Sequence, residues 1–206
     1  MGVIKGGIDD RLAKFLLDQP VFFVATAPLS PDGHVNCSPK GLKDTFAILG
    51  TSQVAYLDLT GSGAETAAHI RENGRVTLMF CAFQGPPRIV RLQGRGTLLL
   101  PGERDFALVE GKFLPDRLGA RAIVSVAVDR IASSCGYGVP LMAFEGERED
   151  LDHWSQRKGQ DGLQTYRSLN NAVSIDGLPA LPSDRPQADP AGSPPPGTGG
   201  PGSAPR

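Results

Sequence analysis

The succession of β segments with short connections is the feature that most constrains how this chain folds. Between Val21 and Ala132, about seven segments rich in β-branched and aromatic residues follow one another. One long helical segment, 64–73, interrupts them after Leu59. A parallel sheet needs a helical crossover between nearly every pair of strands. The pattern therefore predicts a mainly β protein with flanking helices, built as an antiparallel barrel or sandwich.

The first two strands are predicted to form a hairpin. The turn SPDG at 30–33 has proline in its second position and glycine in its fourth, which favours a type I turn. In the return strand HVNCS, Val35 and Cys37 share one face, and we expect Cys37 to be a small core residue.

Helices and glycines supply further expectations. Helices are predicted over 11–18, 103–110, 147–159 and 161–171. Gly74 is expected to end the helix 64–73, and Gly94 and Gly96 to let a long strand bend or bulge.

The C-terminal composition divides the chain in two. From Pro182 to Arg206, 25 residues include 8 prolines and 5 glycines, and none is apolar and larger than alanine. Such a segment cannot bury enough apolar surface to offset the entropy of ordering. We therefore expect one domain over 1–181, followed by a disordered tail over 182–206.

Charge and cysteine content exclude several function classes. The net charge of −1 gives no support for binding nucleic acid or an anionic membrane. The N-terminus does not resemble a signal peptide, and no apolar run is long enough to span a bilayer. Three scattered cysteines without a CxxC pair favour neither disulfides nor a metal site. The sequence thus predicts a cytoplasmic protein without a bound metal.

A glycine-rich turn between a strand and a helix is the first candidate site. The segment 58–66 (DLTGSGAET) combines two glycines with hydroxyl side chains at a helix N-terminus, an arrangement that suits a phosphate group. The candidate residues are Asp58, Leu59, Thr60, Gly61, Ser62 and Thr66. The alternative is a purely structural turn, in which Ser62 and Glu65 form a capping box.

The end of the return strand is the second candidate site. Asn36, Ser38 and Lys40 alternate along it, and Lys40 could neutralise a phosphate as a point charge. Pro39 cannot donate to a strand ladder, so this segment is expected at a sheet edge or opening. A solvated strand end is the alternative. A third segment, GYG at 136–138, could present Tyr137 to a ligand ring or a subunit contact. The alternative is an ordinary loop in which Tyr137 is buried.

The order of these motifs resembles a known superfamily. VNCSPKG, then VAYLDLTGSGAETAAHIRENGRVTLMF, then PPRIVRLQGRG are similar to the flavin-binding split barrels of the pyridoxamine 5′-phosphate oxidase-like superfamily. The later SCGYGVPL and SIDGLP are similar to an uncharacterised bacterial branch of it, so the resemblance covers about 9–181. It implies an antiparallel six-stranded split β-barrel of the FMN-binding type. It also implies a homodimer with FMN in a cleft at the subunit interface.

The resemblance also assigns residues. Asn36 and Lys40 match the arginine and lysine of the family's phosphate-binding strand, and 60–62 match its phosphate loop. Thr66 falls where the oxidases carry a phosphate-binding lysine. Asn36 and Thr66 thus replace cations, and each lost charge-assisted hydrogen bond is worth ~1.5–3 kcal/mol.

These replacements imply weaker FMN binding, greater reliance on N–H donors at the helix terminus, or a different cofactor. The arginine-containing C-terminal signature that holds the oxidases' substrate is not visible, so a true pyridoxamine 5′-phosphate oxidase is not expected. The resemblance implies an FMN-dependent oxidoreductase with a small-molecule redox substrate. The alternative is a non-catalytic module that binds flavin, haem or the deazaflavin F420. No side chain stands out as catalytic.

Overall fold

The computed structural model describes residues 2–113 and 117–182. From residue 183 onward, the tail predicted over 182–206 lies outside the described residues.

Strands dominate the described part of the chain, as the sequence predicts. The strands are β1 (Gly2–Ile4), β2 (Val21–Thr26), β3 (Asn36–Gly41), β4 (Phe46–Gly50), β5 (Gln53–Leu59), β6 (Arg75–Cys81), β7 (Ile89–Leu99) and β8 (Ala120–Ser134). The helices are α1 (Asp10–Leu17), α2 (Glu65–Asn73), α3 (Arg104–Glu110) and α4 (Asp150–Asn170).

All strands belong to one antiparallel sheet. Its order is β3-β2-β6-β7-β8-β5-β4, and β1 pairs with β8 beside this path. The seven segments predicted between Val21 and Ala132 correspond to β2–β8, which confirms the antiparallel, mainly β class. The sheet has eight strands rather than six, because β2 to β8 all pair in one sheet and the short β1 adds to the long β8. Strand β3 lies at an edge, as Pro39 predicts.

An aromatic cluster fills the core beneath β2. The rings of Phe22 and Phe80 stack with centroids 5.2 Å apart, and Phe46 meets Phe80 edge-on at 5.1 Å. Helix α1 covers this core with the buried Leu12 and Leu16. It begins where the Asp9 carboxylate accepts a hydrogen bond from the Leu12 N–H at 2.7 Å.

Two glycines behave as predicted. Gly74 ends α2 in the left-handed conformation, with φ 72°. At Gly94 the pairing of β7 with β8 shifts register, which is the predicted bulge. A Cβ on Gly94 would lie 2.0 Å from the carbonyl oxygen of Ala127, so any side chain there is excluded.

The inward face of β3 is the opposite of the one predicted. Cys37 is exposed, and Val35 is 74% exposed, so the expectation of a core cysteine is wrong. The return strand also runs over Asn36–Gly41 rather than 34–38. The buried face of β2 sets the orientation of its partner, because residues paired across antiparallel strands share a face. Asn36, Ser38 and Lys40 therefore point inward.

The C-terminal helices also follow the sequence. Helix α4 contains one non-helical residue, Gly159 (φ 64°, ψ 175°), which separates the two predicted halves. Trp154 and Tyr166 join the halves through edge-to-face rings 5.0 Å apart, and Leu163 is fully buried. Among the described residues, no helix is long and apolar enough to cross a membrane.

The bulge gives a direct stability test. We expect Gly94→Ala to lower the free energy of unfolding by about 3 kcal/mol, because the new methyl group meets backbone rather than a movable side chain. Urea unfolding measures the change. Gly50→Ala on β4 is the control, since nothing lies within 4 Å of the added Cβ. Equal midpoints for the two variants would contradict the assigned register.

Candidate functional site

A buried carboxylate joins three strands at the centre of the site. Asp58 on β5 is 1% exposed. Its Oδ1 accepts a hydrogen bond from Lys40 Nζ on β3 at 2.8 Å, and its Oδ2 accepts one from Arg121 Nε on β8 at 2.8 Å. Asp58 is therefore an ion-pair partner with both oxygens engaged, rather than a free general base.

The charges around Asp58 fix its ionisation. Burial alone would raise its pKa, but the charges and hydrogen bonds of Lys40 and Arg121 outweigh burial and hold the pKa at about 2. Tyr56 lies beside this group, with Lys40 Nζ 5.8 Å from its ring centroid. Burial, and then the negative charge of Asp58, raise the pKa of Tyr56 well above its ordinary value.

The glycine-rich loop 60–63 is held through its carbonyl groups. Arg121 Nη2 donates to the Gly63 carbonyl at 2.8 Å, and Asn171 Nδ2 donates to the Gly61 carbonyl at 2.9 Å. The buried Thr60 hydroxyl donates to the Gly119 carbonyl at 2.8 Å and accepts from Arg167 Nε at 2.8 Å. The loop is thereby fixed to β8 and to the end of α4.

Arg167 adds a second guanidinium to this region. Half-burial, and then the charge of Arg121, lower its pKa. Lys40 and Arg121 thus pair with one buried carboxylate, Asp58, and Arg167 places a third cation near Arg121 at the same loop.

The inward face of β3 continues the site toward α2. Asn36 Nδ2 donates to Thr66 Oγ1 at 2.9 Å, and the Ser38 hydroxyl donates to Asn36 Oδ1 at 3.0 Å. Behind Asn36, Thr26 Oγ1 lies 2.9 Å from Nδ1 of the fully buried His69. Burial lowers the pKa of His69, so its neutral form is favoured at the back of the site.

The start of α2 differs from the predicted capping box. The N-cap residue is Ala64, not Ser62, and its side chain makes no capping hydrogen bond. The Glu65 carboxylate instead reaches back and accepts from the Ala64 N–H at 3.1 Å. Ser62 is excluded from the cap because the loop carbonyls are anchored to Arg121 and Asn171, which places the helix start two residues later.

Most of the predicted site residues meet in one place. The cluster brings together Asn36, Ser38, Lys40, Asp58, Thr60, Gly61, Ser62 and Thr66. Pro39 lies on the exposed face of β3, and Leu59 packs into a neighbouring apolar cluster. The roles of all ten predicted residues toward a ligand remain predictions.

Three residues of the site were missed from the sequence, namely Arg121, Arg167 and Asn171. They come from β8 and from the end of α4, far along the chain from the loop. The available signal was a charged residue inside the apolar strand segment ARAIVSVAV, since such a residue is buried only with a partner.

Comparison with known proteins decides the family. The family model described as pyridoxamine 5′-phosphate oxidase matches residues 8–135. The chain belongs to this family. It is also 38% identical, over 200 residues, to the pyridoxamine 5′-phosphate oxidase family protein ustO of Aspergillus flavus. That match covers 89% of this chain and 79% of the relative.

Solved structures with a similar arrangement are more distant. HupZ from Group A Streptococcus is 19% identical, with 62% of this chain and 94% of that chain covered and a TM-score of 0.48. A putative pyridoxamine 5′-phosphate oxidase from Lactobacillus delbrueckii is 14% identical, with 64% and 99% covered and a TM-score of 0.48.

The pKa of Asp58 predicts how the stability of this family member depends on pH. The folded-state pKa of about 2 lies below the ordinary value of 3.8, so the ion pairs stabilise the fold above about pH 4. We expect about 2 kcal/mol of that stability to be lost as the pH falls through 4 toward 2. We expect Asp58→Asn to remove this portion of the pH dependence. We also expect it to lower the free energy of unfolding at neutral pH by about 3–5 kcal/mol, because Arg121 stays buried without a counter-charge.

Urea unfolding at several pH values measures both effects. Asp129→Asn, at an exposed position on the same strand as Arg121, is the control and keeps the wild-type pH profile. An Asp58→Asn variant with wild-type stability at neutral pH would contradict the assigned ion pairs.

Proposed function

We propose that this protein binds FMN and uses it as an oxidoreductase on a small molecule. The carrying observation is the positive charge at the glycine-rich loop, where Lys40 and Arg121 share the single carboxylate of Asp58 and Arg167 adds a third cation beside Thr60. Partly buried cations without a full set of counter-charges are costly, and a phosphate group offsets that cost. Membership of the pyridoxamine 5′-phosphate oxidase family supports the flavin as the source of that phosphate.

The donor set fits a phosphate on the β3 side of the loop. Lys40, Ser38 and Thr66 supply an ammonium and two hydroxyl groups there. A Cβ on Gly61 would meet nothing within 4 Å, so the chain leaves open space beside the loop. The first turn of α2 already holds the Glu65 carboxylate. We therefore assign the phosphate to the side of the loop that faces β3, rather than to the N-terminus of α2.

The chain's own residues bind and orient rather than transfer protons. Both oxygens of Asp58 are engaged, and Thr60 has partners on two sides. When bound, a flavin supplies hydride or electron transfer itself. We propose a substrate other than pyridoxamine 5′-phosphate, because the arginine-containing C-terminal signature that holds the oxidases' substrate is not visible in the sequence.

We further propose a homodimer with the flavin at the subunit interface. Apolar side chains stand exposed within six residues of the isolated chain, namely Tyr137 at 82%, Leu141 at 80% and Met142 at 56%. Exposed apolar side chains grouped in this way favour burial against a partner.

A non-catalytic module is the second candidate. It is favoured by the engagement of both Asp58 oxygens, which leaves this carboxylate without a free acid or base role. Binding of flavin without turnover, or of haem or the deazaflavin F420, falls under this alternative.

Absorption spectroscopy tests the cofactor. We expect the purified protein, or the protein after addition of FMN, to show flavin absorption bands at about 370 and 450 nm. A Soret band would support haem instead. A colourless protein that does not take up added FMN would overturn the flavin proposal. Oxidation of a reduced nicotinamide or organic donor by the loaded protein separates an oxidoreductase from a non-catalytic module.

The phosphate assignment is tested with paired ligands. We expect Lys40→Ala combined with Thr66→Ala to weaken FMN binding about 30-fold, because two phosphate contacts are lost, and to leave riboflavin binding nearly unchanged. Fluorescence titration measures both dissociation constants.

The matched control for these titrations is Lys14→Ala combined with Thr97→Ala, since both residues are exposed and lie on α1 and β7. Equal losses for FMN and riboflavin would place the phosphate elsewhere.

A further inference from the structure

A large apolar cavity opens at the end of the sheet where β2 begins. Its volume is about 1280 Å³. Seven of the nine phenylalanines line it, six of them being Phe15, Phe22, Phe23, Phe46, Phe80 and Phe83. Protein interiors are close-packed, so apolar space that side chains leave unfilled is costly. Concave, mostly apolar spaces of this kind are typical of small-molecule sites.

The inner wall of the cavity is flat and fixed. Phe22 and Phe80 stack with an interplanar angle of 17°, and both are almost fully buried. Phe46 closes the corner at 62° to Phe80. The first two rings form a rigid backing, and the half-buried rings of Phe23, Phe46 and Phe83 offer faces and edges to another aromatic ring.

The mouth of the cavity carries negative charge. Among the described residues that line it, Asp18 is paired with Lys14 at 2.9 Å, so Asp44 and Glu147 supply the negative charge against the single lining cation Lys43. The segment 142–147 forms part of the wall and is tied down by a hydrogen bond from the Met142 N–H to the Phe83 carbonyl at 2.9 Å. From that segment the seventh phenylalanine, Phe144, faces the cavity while remaining 53% exposed.

We propose that this cavity binds a small organic molecule that carries a ring and no negative charge. The phenylalanine walls select the ring, and the acidic mouth repels an anion. A phosphate or carboxylate ligand is therefore disfavoured here, in contrast to the cationic cluster at the glycine-rich loop.

The cavity and the cationic cluster lie on either side of one buried aromatic ring, that of Tyr56. Phe22 in the cavity wall lies 5.6 Å from the Tyr56 ring, and Lys40 Nζ lies 5.8 Å from the centroid of the same ring. Where the proposed flavin chemistry holds, the occupant of the cavity is its organic substrate. Binding to the cavity itself does not depend on the flavin.

Three probes that share a naphthalene ring test the proposal. We expect 2-naphthylmethanol and 2-naphthylmethylammonium to bind, and 2-naphthoate to bind about tenfold more weakly or not at all. Calorimetric titration of the full chain, with and without added FMN, gives the affinities. If the protein binds the probes but does not bind added FMN, the flavin proposal alone is overturned.

Substitutions in the cavity lining test whether the probes bind in the cavity. Phe144→Ala is expected to weaken binding of the neutral probe about tenfold without lowering the thermal midpoint, since this side chain is half exposed. Leu108→Ala, at a 69% exposed position on α3, is the matched control. Asp44→Asn combined with Glu147→Gln is expected to bring the affinity of the naphthoate close to that of the neutral probe.

Three results would overturn the proposal. They are no binding of any probe, equal binding of all three probes to the wild type, and equal effects of Phe144→Ala and Leu108→Ala. Dissociation of a dimer by Phe144→Ala, without probe binding, would show that a second copy covers the cavity instead.

Discussion

The doubly paired carboxylate of Asp58 is the constraint on which the rest of the site depends. On β5, it forms ion pairs with Lys40 of the edge strand β3 and with Arg121 of β8. Arg121 also donates a hydrogen bond to the Gly63 carbonyl, which holds the glycine-rich loop in place. Because a buried ion pair is costly unless every partner is satisfied, the three strands and the loop are fixed as a unit.

The polar inner face of β3 explains why the site lies at this edge of the sheet. At the edge, Asn36, Ser38 and Lys40 face inward, where Asn36 meets Thr66 of α2 and Lys40 meets Asp58 of β5. The apolar core begins on the next strand, with Phe22 and Val24. The aromatic cavity and the cationic cluster thus share one boundary.

Local patterns predicted the fold better than they predicted the site. The antiparallel class, the bulge at Gly94 and the helix end at Gly74 follow from residues that act on their immediate neighbours. The face of β3 could not be predicted in this way, because alternation defines two faces and only the pairing with β2 decides which is buried.

Most of the binding cluster could also be named from its motifs, since a glycine-rich turn before a helix and a strand-end lysine are local signals. Arg121, Arg167 and Asn171 could not, because they reach the loop from distant parts of the chain. Nor could Glu65 be recognised as the residue that caps Ala64, because the loop's anchors determine where α2 starts.

These distant anchors have a consequence for how the protein matures. Arg167 contacts Thr60 across 107 residues, and Asn171 contacts Gly61 across 110. During synthesis, every strand of the sheet leaves the ribosome before α4 does. The sheet can therefore assemble while the loop still lacks two of its anchors, and the site acquires its final shape only as the C-terminal helix docks.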